Sequence, residues 1–417
     1  MPAAQDARTA VSWLSPPTAV DAELSDRFHP LFAQIKEGNR DRERERIFAH
    51  EQVRWLIDAG FSRLRIPERH GGSGASLQQA FRLLAELGAA DANIAHVFRN
   101  HWAFVEDRLY SPPDEAGEVW LERFRAGDFV GGGWTEANGG KFSDMRTRLS
   151  TRAGATYITG AKFYATGSLY ADWLDVIGVD ESGTALTALV RRDQPGVELI
   201  DDWPGFGQRT TASGSARYDQ AEVDRFGLFP AAERFPYQGL FYQTSLLAIL
   251  AGIARAAWSE AIEALKQRRR NYPLGLDEVP ARDAQLLQVI GRLGAQVFQA
   301  DAALQAQTAA LDEVAEARRA GADVRGGEAL RTATVRTAEA QLVIIDAALA
   351  VTNEVFDALG ASGTSEAVLL DRHWRNARTL ASHNPRIYKE RVLGDWYVNG
   401  TDPSVREDPF SGGGQGV

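Results

Sequence analysis

Seven histidines and no cysteine among 417 residues leave few imidazoles and no thiol for chemistry near neutral pH. His383 and Asn384 stand in RNARTLASHNPRIYK (375–389), just ahead of Pro385, where a helical pattern has to stop. An imidazole there donates, accepts or relays a proton near neutral pH; the amide beside it binds polar groups but is no base. His96 and His101 lie on NIAHVFRNHWAFVEDRLY, where Ile94, Val97, His101, Phe104 and Val105 fall near one face of a helix. His96 fits helix packing as well as it fits a site. His373, beside Trp374, fits packing or a subunit contact better than catalysis. Arg375 and Arg378 suit either a bound phosphate or a solvated helix face. The histidines show no metal-ligand spacing, and neither H-E-x-x-H nor G-x-S-x-G occurs. GGSG (71–74) follows no clear strand and matches neither G-x-G-x-x-G nor a P-loop, so it reads as a turn before a helix.

Three kinds of element must position these groups. From about 18 to 126 the pattern is helical, with Leu77, Phe81, Leu84 and Leu87 on one stripe and Ser76 as an N-cap. Near GDFVGGGWTEANGG the texture changes, and short β-rich runs follow at close, regular intervals (TYITGAKFYATG, WLDVIGV, TALTALVRR, GVELI, SARYDQAEV), as in an antiparallel sandwich or barrel. Helical periodicity returns after RFPYQGL. Leu286, Ile290, Leu293, Val297, Ala300 and Leu304 form one seam, and Val335, Ala338, Leu342, Ile345, Leu349, Thr352, Phe356 and Leu359 another, as antiparallel bundle helices need. The expected fold class is α+β: an N-terminal helical domain (1–127), a central antiparallel β-domain (128–229), a C-terminal four-helix bundle (230–405) and a Gly-rich flexible tail (406–417).

Composition narrows the partners. A hydrophobic content of 44% with 24% charged residues is that of a globular chain, and a net charge of −10 argues against nucleic acid or an anionic membrane. The absence of cysteine removes disulfides, thiolate metal sites and cysteine nucleophiles, and fits a cytoplasmic protein. MPAAQDARTAVSWLSPP shows no secretory h-region, and no apolar run approaches the ~20 residues of a membrane helix.

Three segments, in order, resemble the acyl-CoA dehydrogenase family. WTEANGG (134–140) is similar to that family's flavin-contacting T-E-x-x-x-G and TYITGAKFYATG to its N-G-x-K-x-x-I-T-N-G strand, with GFGQRTTASGS (205–215) following these two; QRRR (267–270) is similar to the arginines that bind flavin phosphates across subunits. The resemblance covers about residues 20–403 and implies a homotetramer. In many dehydrogenases the late segment R-D-A-x-x-x-x-x-Y-E-G-T carries the glutamate that removes the substrate α-proton. Laid on this chain, the tyrosine falls at His383 and the base at Asn384, which cannot accept that proton. A replaced base with histidine beside it resembles the monooxygenase branch of the fold, in particular its dibenzothiophene and alkyl-sulfone members.

That resemblance implies reduced FMN, oxygen and a C4a-hydroperoxyflavin sheltered from water, acting on a small apolar organosulfur or aromatic molecule. Its catalytic candidates are His383, as donor or proton relay, with Asn384, Thr166 and, of the two early histidines, His101. Cofactor contacts fall to Trp134, Thr135, Tyr164, Thr166, Ser168, Arg269, Arg270, Arg378 and His383, and substrate contacts to His96, Trp203 and Phe241. Trp102, Phe104, Phe163 and Phe206 are further wall candidates. No metal is expected. With no dinucleotide fingerprint and no cysteine pair in the chain, the reduced FMN is expected from a separate NAD(P)H:flavin reductase. Two rivals stand. An FAD-dependent acyl-CoA dehydrogenase needs a carboxylate base, for which Glu366 is the late-chain candidate. A non-catalytic flavin-binding member of the fold predicts no turnover.

Overall fold

The computed structural model describes residues 18–136 and 145–406; Ala137–Gly140 of the T-E-x-x-x-G segment and the tail from 407 lie outside the described residues. Six helices come first: α1 (Ala19–Lys36), α2 (Asn39–Glu45), α3 (His50–Asp58), α4 (Leu77–Ala90), α5 (Ala92–Tyr110) and α6 (Glu115–Ala126). Ser76 caps α4 as expected, its hydroxyl accepting from Gln79 N while the Gln79 side chain accepts from Ser76 N. The α4 stripe of Leu77, Phe81, Leu84 and Leu87 is wholly buried. Asp91 caps α5 by accepting from the N–H groups of Asn93 and Ile94.

All described strands lie between Val130 and Pro230: β1 (Val130–Gly133), β2 (Arg148–Arg152), β3 (Ala155–Lys162), β4 (Trp173–Val179), β5 (Ala185–Arg191), β6 (Val197–Ile200) and β7 (Ser215–Pro230). Their order is β1-β4-β2-β3-β7-β5, and β5 also pairs with β4, which closes a barrel; β6 adds to β7. The expected antiparallel sheet is in fact mixed, because β1 runs parallel to β4 and β2 touches β4 in parallel at Arg148–Val179. β1 takes the stretch of β4 from Trp173 to Val176, ahead of the point where β2 meets it at Val179, which covers that part of the strand.

Five helices complete the chain: α7 (Gln238–Gln267), α8 (Ala284–Arg319), α9 (Glu328–Leu359), α10 (Asp371–Ala381) and α11 (Ile387–Asn399). On α8, Leu293, Val297, Ala300 and Leu304 are buried against this layer, and on α9 Val335, Ala338, Ile345, Thr352 and Leu359 are buried likewise. Contrary to the expectation from sequence, α7 is long and apolar enough to cross a membrane, yet 94% of its most apolar window is buried inside the protein. It is the central helix of the bundle, packing on α4, α8 and α9.

Candidate active site

The site forms where α5, the barrel mouth and the α10–α11 junction meet. Residues three or four apart share a helix face, so His96, Arg99 and Asn100 point together from α5. The Asn100 amide donates to Thr166 O (2.8 Å), and Gly132 N donates to the same oxygen (3.2 Å). This crossing requires glycine in β1: a Cβ on Gly132 would stand 2.3 Å from Asn100 Nδ2. The turn from Tyr164 to Ser168 is thereby locked to both α5 and β1. Thr166 is buried and its hydroxyl pairs with Ser213 Oγ (2.8 Å), which continues to Thr211 Oγ1 (2.7 Å); Ser168 Oγ donates to Ala212 O (3.4 Å).

His96 Nδ1 meets Gln208 Oε1 at 3.0 Å, so that with this amide orientation Nδ1 carries the hydrogen and Nε2 keeps its lone pair. His96 Nε2 and Gln208 Nε2 are both buried without a partner among the described residues. Burial, then the charge of Arg99 and the neighbouring His383, holds His96 well below the ordinary histidine pKa. Its ring lies edge-on to that of His383, with centroids 6.4 Å apart. His383 reaches solvent at the mouth of this space, yet protein crowds it closely enough that desolvation, followed by the Arg99 charge, depresses its pKa too. Both rings are therefore neutral. His383 Nδ1 faces Asn384 Oδ1 (3.4 Å), while Asn384 Nδ2 donates to Gln243 Oε1 on α7 (2.7 Å) and Asn384 O accepts from Gln341 on α9 (3.0 Å). In the tautomer that lets Nδ1 donate to Asn384 Oδ1, His383 Nε2 accepts; in the other it donates, so the ring can serve as donor or proton relay.

Arg99 is buried with its guanidinium over the Tyr242 ring, 4.5 Å from the centroid. Burial lowers it to about 10, and its Nε has no partner. Beyond Tyr242 stands Trp134, whose indole donates to Asp175 (3.3 Å), and then the buried group Arg234, Asp107 and Asp175. Tyr164, Phe163 and Trp203 form an aromatic wall, with the Tyr164 ring 4.6 Å from Phe163 and 5.8 Å from Trp203. Tyr164, Gln208 and Ala212 all take left-handed backbone angles (φ 58°, 53° and 53°), a strain that concentrates at functional sites.

Several expected site residues lie elsewhere. His101 is wholly buried, with Nε2 on Ser62 O (3.0 Å), Nδ1 accepting from Val130 N (3.1 Å) and its ring stacked on Phe129. Five residues from His96, it turns away from the shared face and serves as a structural strut, so a catalytic role is corrected. Phe241 is core, packed on Phe81 and Phe235, and is not a substrate wall. Trp102 and Phe104 are core as well, and Phe206 stacks on Trp374. Arg269 and Arg270 line a separate cleft of about 460 Å³ beyond the far end of α7. At 1.5 Å per residue the helix puts them about 36 Å from Gln243, out of reach of the same chain's pocket. Arg378 is bound to Ser382 Oγ, and His373 is buried beside Glu260 (3.3 Å). Thr135 is exposed, its carbonyl accepting from Phe163 N (2.8 Å).

Two residues within quoted motifs carry more than the sequence suggested. Gln208, in GFGQRTT, holds His96. Glu136, in WTEANGG, accepts from the backbone N–H groups of Arg146 and Thr147 and from Lys162 Nζ (3.1 Å). Burial works against the charged carboxylate, but these donors outweigh it and hold Glu136 at about 2. Glu366, the base a dehydrogenase would use, is exposed on the turn before α10. Glu43, linked to the Gln208 backbone through Asn376, is committed to Asn93 (2.9 Å) and Arg375 (3.0 Å).

The match to known proteins agrees with this geometry. Residues 26–128 match the acyl-CoA dehydrogenase N-terminal domain and residues 245–385 the acyl-CoA dehydrogenase C-terminal domain. The chain belongs to the acyl-CoA dehydrogenase family. Within that family it is 28% identical over 358 residues to the probable FMNH2-dependent monooxygenase SfnC of Pseudomonas putida, covering 84% of this chain and 88% of that one. The solved methanesulfinate monooxygenase MsuC of Pseudomonas fluorescens superposes with a TM-score of 0.82 at 26% identity, covering 93% of this chain and 98% of its own. TdsC of Paenibacillus sp. A11-2, solved with FMN and indole, gives 0.81 at 25% identity over 92% and 98%. The orphaned polar atoms of His96 and Gln208, set beside an aromatic wall, fit a flat heteroaromatic cofactor such as FMN in this family member.

Proposed function

We propose that this protein is a monooxygenase that uses reduced FMN and molecular oxygen to oxygenate a small organosulfur or aromatic substrate. The carrying observation is the chemical character of the site: two histidines, His96 and His383, that burial and the Arg99 charge hold toward the neutral form, with no described carboxylate paired with either. A dehydrogenase needs a base at this place, whereas oxygen transfer needs neutral hydrogen-bonding groups and exclusion of water. The chemistry supplied by bound reduced FMN is two-electron reduction of oxygen, one atom passing to substrate and the other leaving as water.

The chain's own groups do the rest. His96 Nε2, buried and held by Gln208, accepts a hydrogen bond from an N–H or O–H of the bound species without changing charge. His383 Nε2 donates or accepts a second, its ring beside Asn384, which α7 and α9 fix through Gln243 and Gln341. The Thr166–Ser213–Thr211 hydroxyl chain supplies a polar edge, and the Tyr164–Trp203 pair an aromatic one.

No residue pattern here supports reduction by NAD(P)H, so the reduced flavin comes from a separate reductase. Arg269 and Arg270 serve the flavin phosphate of a neighbouring subunit in a homotetramer. The exposed Tyr272, Leu274 and Leu276 beside them support burial against such a neighbour. A chain without cysteine suits the reducing cytoplasm.

The test mixes protein and photoreduced FMN with oxygenated buffer and dibenzothiophene, indole or methanesulfinate, then quantifies product and hydrogen peroxide. Wild type yields oxygenated product from at least one, and His383→Ala loses about 100-fold in product formation, with peroxide rising in its place. Anaerobic bleaching of bound flavin by an acyl-CoA, without oxygenated product, would establish the dehydrogenase instead.

A further inference from the structure

Among the described residues Arg99 is a charge without a counter-charge. Elsewhere in this region the buried charges balance: Asp107 pairs with Arg108 (2.7 Å) and Arg234 (3.4 Å), and Asp175 pairs with Arg234 (2.8 Å). Glu43 is held by Arg375, and Asp91 by Arg42. Among the described residues no carboxylate pairs with Arg99, whose guanidinium lies over the Tyr242 ring. Burial pushes the Tyr242 hydroxyl up to about 12, so it supplies no negative charge. Arg99 is 9% exposed, and its Nε is buried without a hydrogen-bond acceptor. A buried guanidinium left this way is costly unless a ligand completes it.

Its position says which ligand. Arg99 shares the α5 face with His96, one turn away, and its charge acts on both His96 and His383. It therefore stands with the groups around the reacting centre, about 36 Å by helical rise from the Arg269–Arg270 end of α7 where phosphate binding belongs. A planar guanidinium forks onto two oxygens of one group, which favours a compact oxyanion. Of such groups a sulfinate also keeps a lone pair on sulfur, the atom that oxygen transfer needs.

We infer that Arg99 binds the oxyanion of the substrate, and that the protein oxygenates a small alkanesulfinate in preference to a neutral thioether or arene. The inference rests on the oxygen-transfer function proposed above. The reaction balances as sulfinate plus oxygen plus reduced FMN giving sulfonate, oxidised FMN and water: sulfur gives two electrons, flavin two, and one oxygen atom bonds to sulfur. Arg99 and the substrate form the missing ion pair, and the pocket stays neutral around His96 and His383.

The test is calorimetric titration of methanesulfinate and of indole into FMN-loaded wild type, Arg99→Met and Arg99→Lys, with FMN affinity measured in parallel by fluorescence quenching. Methanesulfinate binds wild type more tightly than indole does, weakens about 100-fold in Arg99→Met, and recovers to within about tenfold of wild type in Arg99→Lys. FMN affinity shifts by less than about threefold in both variants. Equal sulfinate affinity in wild type and Arg99→Met overturns the inference. So does a loss of FMN affinity matching the loss of sulfinate, which would assign Arg99 to the cofactor, and so does tighter binding of indole to wild type. Should Arg99→Met not fold, Arg99→Gln, which keeps a polar side chain without the charge, takes its place: sulfinate binding weakened about 100-fold with FMN affinity unchanged sustains the inference, and sulfinate affinity equal to wild type overturns it. Sulfinate bound through Arg99 with no sulfonate formed would leave the anion site standing and remove the oxygenase.

Discussion

His101 makes folding stability depend on acid in a way that can be isolated. Its ring is wholly buried, donates to Ser62 O and accepts from Val130 N, so the neutral form satisfies both bonds and a second proton would displace the Val130 N–H. Burial depresses it to about 3, against about 6.5 in the unfolded chain. With the folded value lowered, the unfolded state takes up the proton first. The contribution is thus complete above about pH 6.5 and is lost as pH falls from there toward 3. Between pH 7 and pH 5 the loss is about 1.5 units at 1.36 kcal/mol each, or about 2 kcal/mol. Replacing His101 by Gln keeps a donor for Ser62 O and removes the titration. Urea unfolding of both proteins at pH 7 and pH 5 isolates the term, because the remaining histidines contribute alike to each. Wild type loses about 2 kcal/mol more over that interval than His101→Gln does. Parallel pH dependences in the two proteins would refute the assignment of His101 as a neutral buried strut.

Other consequences are as direct. Glu136→Ala strands the wholly buried Lys162 ammonium and costs about 3 kcal/mol, read from the shift in denaturation midpoint, whereas Glu136→Gln, which still accepts from Arg146 and Thr147, costs less. Gly132→Ala drives a methyl into the Asn100 amide and breaks its bond to Thr166 O; about 2 kcal/mol of stability goes with it, and FMN retention on gel filtration falls.

The broad design was legible because its signals are local. Helical stripes such as Leu77, Phe81, Leu84 and Leu87, the Ser76 cap and the alternation of short β segments each report their own neighbourhood, and the structure has them in place. The parallel pairing of β1 with β4 was not legible, since it joins segments about forty residues apart through barrel closure. The resemblance pointed to His101 rather than His96, and helix phase decides otherwise: one turn separates His96 from Arg99 and Asn100, whereas the fifth residue swings toward Phe129 and the core. Gln208 and Arg99 escaped notice for another reason. An amide or an arginine in a polar stretch carries no signal until the fold shows what it lacks, here a second partner for one and a counter-charge for the other.

The left-handed backbone at Tyr164, Gln208 and Ala212 has a consequence for turnover. Non-glycine residues in this conformation each cost about 1 kcal/mol, and the chain bears that cost through barrel closure and the α5 anchor at Thr166, before anything binds. The wall of the pocket is therefore a standing form, the same for arriving cofactor, resting enzyme and departing product. Successive catalytic cycles need no rebuilding of that surface, and what limits their pace has to be sought in the traffic through the mouth beside His383.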